Sequence, residues 1–168
     1  ENRVYYNISL FSEYDIYLFR AGKHFEIHKK LGSHLLLHEG MSGAYFAVWA
    51  PNAERLSVIG HFNDWDKTSH PLKLREDGSG IWEGFIPELN KGELYKYHII
   101  SKFNNFKVDK GDPYATSWEK PPATASCLWD LGYTWNDREW IKSRRKKELS
   151  HQPLSVYEMN IGSWRKKP

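Results

Sequence analysis

The 168-residue chain has one cysteine, Cys127, so no internal disulfide can form. This excludes a small secreted scaffold held by bridges and fits a reducing compartment, which makes the cytoplasm the expected location. Long apolar runs are also missing. Apolar stretches such as Leu35-Leu36-Leu37 are short, far below the ~18 consecutive apolar residues that cross a bilayer, so no membrane partner is expected. The opening Glu1-Asn2-Arg3-Val4 has neither an initiator Met nor a charged-then-apolar signal pattern, which suggests a piece of a longer protein. No internal repeat or low-complexity tract occurs, and no G-x-S-x-G elbow marks a nucleophile.

Aromatics are abundant. Eight Trp, ten Tyr and eight Phe make up 15% of the chain beside 27% charged residues, a balance that excludes disorder. A chain of this length buries roughly 70% of its unfolded surface and needs no metal or disulfide to hold a core. The net charge of +3 is a C-terminal feature, because residues 138–168 carry 9 Lys/Arg against 3 Asp/Glu. Those cations crowd one segment rather than alternating with aromatics, so they read as a solvated helix face, and no nucleic-acid partner is expected.

Residues 12–22 place apolar groups at 14, 17, 18 and 21, the spacing of one helical face, with Ser12 as cap and Gly22 as stop. A second helix is expected from Asn136 or Asp137 to about Glu148 or Leu149. Between them the pattern is that of strands. Residues 43–50 are dense in β-branched and aromatic side chains and stop at Pro51; further strands are expected at 55–60, 81–87, 94–101 and 104–109, separated by turn chemistry. Short strands at this spacing predict a β-sandwich. Alternation through 94–101 gives one apolar face, Tyr95/Tyr97/Ile99, and one face bearing Lys96 and His98. Trp49, Trp82 and Tyr95 fall inside strand patterns and are expected in the core. After the second helix, Pro153 to Gly162 reads as one more strand, late enough to open another domain.

Gly60-His61-Phe62-Asn63-Asp64-Trp65 sets a Trp on a turn directly after a strand. The CH faces of a pyranose stack on exposed indole, and its hydroxyls need donors and acceptors, which Asn63 and Lys96 supply. The competing reading makes Trp65 a core plug and Lys96 an ordinary surface cation. Hydrolytic or transfer chemistry needs two carboxylates about 5–10 Å apart. Asp64/Asp66, Glu76/Asp77 and Asp109/Asp112 all lie in turns, where Asp serves the backbone, so no catalytic residue is assigned. His24 and His28 have an i, i+4 spacing without a third ligand, so no metal is expected.

Trp49-Ala50-Pro51-Asn52-Ala53, Gly60 to Trp65, Gly80-Ile81-Trp82-Glu83 and Tyr95-Lys96-Tyr97 together resemble the carbohydrate-binding module family 48 domain that precedes the catalytic barrel of 1,4-α-glucan branching enzymes. Tyr14 to Phe19, Leu31-Gly32-Ser33-His34, Asp112-Pro113-Tyr114-Ala115, Tyr133 to Asp137 and Val156 to Arg165 occur in the family's order. The resemblance implies a mostly β fold: an immunoglobulin-like sandwich at 31–133, a helical lead-in at 1–30, and at 134–168 a linker helix with the severed first strand of a β/α barrel. It implies a non-catalytic module of a glycogen branching enzyme, inactive by itself, without a cofactor, that binds or positions α-glucan and braces the barrel. By motif, Trp65 corresponds to the stacking Trp and Lys96 to the hydroxyl-donating Lys. Phe106 corresponds to a second stacking aromatic, better than Phe103, and Ser126 to a further polar contact. His61 stands where the family has Asp, Gly111 where it has Ala, and Asn160 where it has His. A stand-alone glucan-binding or regulatory module, a purely structural sandwich, and the module of a debranching or trehalose-releasing hydrolase remain alternatives.

Overall fold

The computed structural model describes residues 3–146, 153 and 155–164, and the chain divides into two compact units, Glu1–Leu131 and Gly132–Pro168. In the first unit, Ser12 opens helix α1 (Glu13–Arg20) with a reciprocal box: its Oγ accepts from the Asp15 N–H at 3.2 Å, and Asp15 Oδ2 accepts from the Ser12 N–H at 2.8 Å. Gly22, at φ +65°, provides the left-handed stop. The face it buries differs from the expected one. Ile16 is buried and Phe19 half-buried, whereas Tyr14 and Tyr17 are exposed and stack on each other at 6.2 Å. The aliphatic side chain takes the interior, and the tyrosines, with polar tips, take the water.

The sandwich consists of two antiparallel sheets. The first has the order β1 (Gly32–His38), β2 (Met41–Trp49), β5 (Ile81–Pro87), β4 (Lys73–Leu74). In the second, β3 (Ala53–Gly60) pairs with β6 (Leu94–Ser101), which pairs on its other side with β7 (Lys107–Lys110) and with β9 (Ser126–Cys127), itself joined to β8 (Ser117–Trp118). The strands expected at 81–87 and 94–101 match β5 and β6. Those expected at 43–50, 55–60 and 104–109 are displaced by two or three residues at one end, and β1, β4, β8 and β9 were not anticipated. Between the sheets, Phe46, Val48, Trp82 and Ile86 meet Leu56, Val58, Tyr95 and Tyr97.

Strand β2 is buried on both faces. Ala44, Phe46 and Val48 enter the inter-sheet core, while Tyr45 and Ala47 join Ile81 and Phe85 in a second core closed by Phe11 and Ile16 of the lead-in and by Leu31. The lead-in is also hydrogen-bonded to the sheet, with Tyr5 and Phe85 exchanging N–H···O bonds of 2.8 and 2.9 Å. Trp82 and Tyr95 are buried as expected, but Trp49 is not: at the end of β2 it is 55% exposed, meets Phe19 edge-on, and donates its indole N–H to the Ser79 carbonyl at 3.1 Å. A strand end lies past the overlap of the sheets, so a residue there is covered on one side only.

In the second unit, α2 (Arg138–Lys146) is the expected helix as far as the described residues go, and Arg138, Lys142 and Arg144 are solvent-exposed. The strand expected over Pro153–Gly162 makes no ladder among the described residues, and Ile161–Trp164 form a helical turn, α3. Extended backbone becomes a strand only beside a partner.

Candidate functional site

The outer face of the second sheet is laid out by register. Ile59 faces Lys96 across β3 and β6; Ser57 faces His98, which in turn faces Asp109 of β7; Arg55 faces Ile100, which faces Lys107. The period-2 rule therefore puts Lys96, His98 and Ile100 on one surface with these partners.

At the end of β3 the chain turns through His61–Asn63, and Asp64 and Trp65 both adopt left-handed backbone, φ +51° and +60°. For a residue as bulky as Trp this conformation is strained and persists only where the surroundings impose it. The surroundings are Asn63. Its Oδ1 accepts from the Gly60 N–H at 2.9 Å, and its amide group lies within 3.1 Å of the Val58 carbonyl, Ser69 Oγ and His70 Nδ1. Burial holds the His70 pKa below its ordinary value, so its Nδ1 stays a neutral acceptor. The Trp65 N–H closes the loop on the Gly60 carbonyl at 2.9 Å.

Trp65 is half-exposed, with His61 edge-on to its ring at 5.4 Å and 90°. It lines a shallow depression of ≈ 360 Å³ with Ile59, Lys67, Lys96, Asp109 and Thr124. The Lys96 ammonium donates to Thr124 Oγ1 at 2.8 Å, and Lys67 pairs with Asp109 at 3.2 Å. Burial opposes charge on Asp109, but hydrogen bonds from His98 and Lys67 outweigh it and hold the carboxyl below its ordinary pKa. The depression thus offers one aromatic surface, two cations, a hydroxyl and two carboxylates, Asp109 and Glu119. Both carboxylates are spent on protein partners, Asp109 on His98 and Lys67 and Glu119 Oε2 on the Ala125 N–H at 2.9 Å, so the set suits polyhydroxylated ligands rather than bond breaking.

Of the residues expected from sequence, the structure brings Trp65 and Lys96 together and leaves the other three outside the depression. Asn63 is 8% exposed and spends its amide inside the turn, so it positions Trp65 and presents nothing to a ligand. Ser126 is fully buried, its Oγ accepting from the Asp112 N–H at 2.8 Å. Asp112 in turn accepts from the Tyr95 and Tyr97 hydroxyls, and burial raises its pKa despite those donors; this is a pin beneath the sheet. Phe106 is exposed on the β6–β7 turn and is not part of the depression wall. Lys67, Asp109 and Thr124 were missed. Asp109 could have been found by extending the Lys96/His98 alternation across to the next strand, whereas Thr124 arrives from a proline-rich loop with no periodic signal. His24, half of the weighed metal pair, bonds to Asp15 Oδ1 at 2.9 Å.

Residues 30–115 match the family described as carbohydrate-binding module 48 (isoamylase N-terminal domain). The chain is similar to the proteins named 1,4-alpha-glucan branching enzyme GlgB from Aquifex aeolicus (49% identical over 160 residues, 95% of this chain and 25% of that protein) and from Albidiferax ferrireducens (49% over 155 residues, 92% and 24%). It spans about a quarter of the length of these curated relatives. Among solved structures, ligand-free PulA from Klebsiella pneumoniae is similar at 27% identity and a TM-score of 0.50, over 62% of this chain and 10% of that one.

Proposed function

The chain belongs to the carbohydrate-binding module 48 family, and from that premise we propose that it is the non-catalytic N-terminal module of a glycogen branching enzyme, holding α-glucan on the depression around Trp65. In this reading the parent cleaves an α-1,4 chain and transfers it to a glucan 6-hydroxyl, and the module supplies local concentration and orientation of the chain. The observation that carries the binding role is the strained, half-exposed Trp65 held over Lys96 and Thr124 by a turn that spends a whole buried amide on keeping it there. A pyranose ring stacks on the indole, and its rim hydroxyls accept from the Lys96 ammonium and bond to Thr124. The partners are α-glucan and the catalytic barrel of the same polypeptide, and the setting is the cytoplasm.

The test is an NMR titration of the 168-residue chain with maltotriose, following the indole N–H signals. Saturable shifts at Trp65 that are lost in Trp65→Ala are the expected result. Shifts that survive the substitution would move the site elsewhere, and no shift at millimolar sugar would remove the binding role.

A second reading, that the module also braces the barrel, is favoured by a separate cleft of ≈ 290 Å³ where Tyr114, Trp129 and Leu131 stand exposed beside His34. Isolated apolar groups are ordinary, but a cluster of this kind marks a contact surface. In the full-length enzyme, Trp129→Ala is expected to lower the thermal inactivation midpoint without changing maltotriose binding; an unchanged midpoint removes the brace.

A further inference from the structure

Beyond the Trp65 depression, a second cleft of ≈ 270 Å³ opens at the β3 edge of the same sheet, lined by Arg55, Thr68, His98 and Ile100 and reaching inward to Leu72 and Trp82 of the inter-sheet core, with Lys67 as the wall common to both. The partition between the two is one ion pair. Asp109 Oδ2 takes Lys67 Nζ at 3.2 Å from one side, and Asp109 Oδ1 takes His98 Nδ1 at 2.6 Å from the other. The Lys67–Asp109 pair is partly exposed, its side chains 52% and 35% accessible, and such a pair contributes little to stability. It can exchange its partners for sugar hydroxyls without loss to the fold.

We infer that the two clefts form one trench running along β6, and that an α-glucan seated on Trp65 continues over the Lys67–Asp109 pair into the second cleft. The inference rests on the glucan-binding reading above. The trench floor is laid by three successive cross-strand rungs, Ile59–Lys96, Ser57–His98–Asp109 and Arg55–Ile100–Lys107. From Lys96 to Ile100 the floor extends about 14 Å at ~3.4 Å per residue, longer than one pyranose ring. Its chemistry suits a chain of sugars. Half-buried Ile100 accepts a CH face, and beside it the accessible Lys96, Asp109 and Arg55 supply donors and acceptors over a floor closed by buried Ile59 and Ser57. The module therefore discriminates by chain length, with a short oligosaccharide filling only the Trp65 end.

The experiment compares maltotriose with maltoheptaose on the 168-residue chain and its Arg55→Ala variant, reading backbone amide shifts and dissociation constants. Arg55 is exposed and is not part of the Trp65 depression, so its removal leaves that depression intact. Sliding alone offers the longer sugar about five overlapping trisaccharide registers, so the raw affinity ratio does not decide the matter. The expected result is that both sugars shift the Trp65 indole, only maltoheptaose shifts the amides of Arg55, Ser57 and Thr68, and Arg55→Ala weakens maltoheptaose by about fivefold, as for one hydrogen bond, with maltotriose unchanged. Maltoheptaose shifts confined to the Trp65 end would overturn the trench and leave the glucan-binding reading standing. Equal weakening of both sugars, or no effect of the variant, would also overturn it. Silence of Trp65 with both sugars would overturn the underlying reading as well.

Discussion

Asn63→Ala separates a residue that would touch a ligand directly from one that builds the turn carrying Trp65. The side chain is buried; its Oδ1 satisfies the Gly60 N–H, and its two amide protons are divided among the Val58 carbonyl, Ser69 Oγ and His70 Nδ1. Three hydrogen bonds at about 1 kcal/mol net each come to about 3 kcal/mol. Part of this loss is the buried Gly60 N–H left without an acceptor, which water cannot reach. For a domain of this size the thermal midpoint falls by roughly 10 °C. Urea unfolding followed by far-UV circular dichroism measures the change, with Trp65→Ala as the reference. That side chain is half-exposed, and its loss is expected to cost under about 1.5 kcal/mol. Asn63→Ala is also expected to weaken maltotriose at least as much as Trp65→Ala, because the left-handed Asp64–Trp65 backbone relaxes once its clamp is gone. A variant of wild-type stability that nevertheless loses maltotriose would refute this reasoning and restore Asn63 as a direct sugar contact.

Gly111→Ala drives a Cβ into the Trp118 ring, so the indole must move; a loss of about 1–2 kcal/mol and a displaced Trp118 indole resonance are expected, and an unchanged spectrum would contradict the packing. Burial lowers the pKa of His70, so the unfolded chain binds its proton more readily, and stability is expected to decline as pH falls below the ordinary value of 6.5. His70→Gln should flatten that decline; an identical pH profile in the variant would assign the decline to other groups. Incubated with amylose, the 168-residue chain is expected to form no α-1,6 linkages detectable by proton NMR, since the two carboxylates of the depression are held by protein partners, Asp109 by His98 and Lys67 and Glu119 by the Ala125 N–H.

The sandwich was legible where alternation and turn chemistry agreed, as in β5 and β6. Strand β1 escaped because Leu35-Leu36-Leu37 breaks the period-2 pattern, yet its hairpin with β2 was marked by Glu39-Gly40, both at positive φ, a two-residue turn of the primed kind. Trp49 misled because β2 is apolar on both faces, so hydrophobicity along it could not tell a strand middle from a strand end. At the candidate site, the convergence of Trp65 and Lys96 on one depression was readable from residue type and motif. The inward burial of Asn63 and Ser126 was not, because an amide or hydroxyl facing a ligand and one bonded to buried backbone are the same group in sequence; only burial distinguishes them.

The double-sided burial of β2 sets how this module can be moved between proteins. The recognisable family segment starts at residue 30, but Tyr45, Ile81 and Phe85 are sealed in part by Phe11 and Ile16, so a cassette cut at that boundary would uncover a sheet face whose side chains are each worth about 1.5–3 kcal/mol of burial. Such a cassette would also end before β8 and β9, and so before Ser126, which anchors the Asp112 pin. The portable unit is therefore larger than the recognisable one. Gene fusion or recombination that transplants the Trp65 face intact has to carry the N-terminal segment with it.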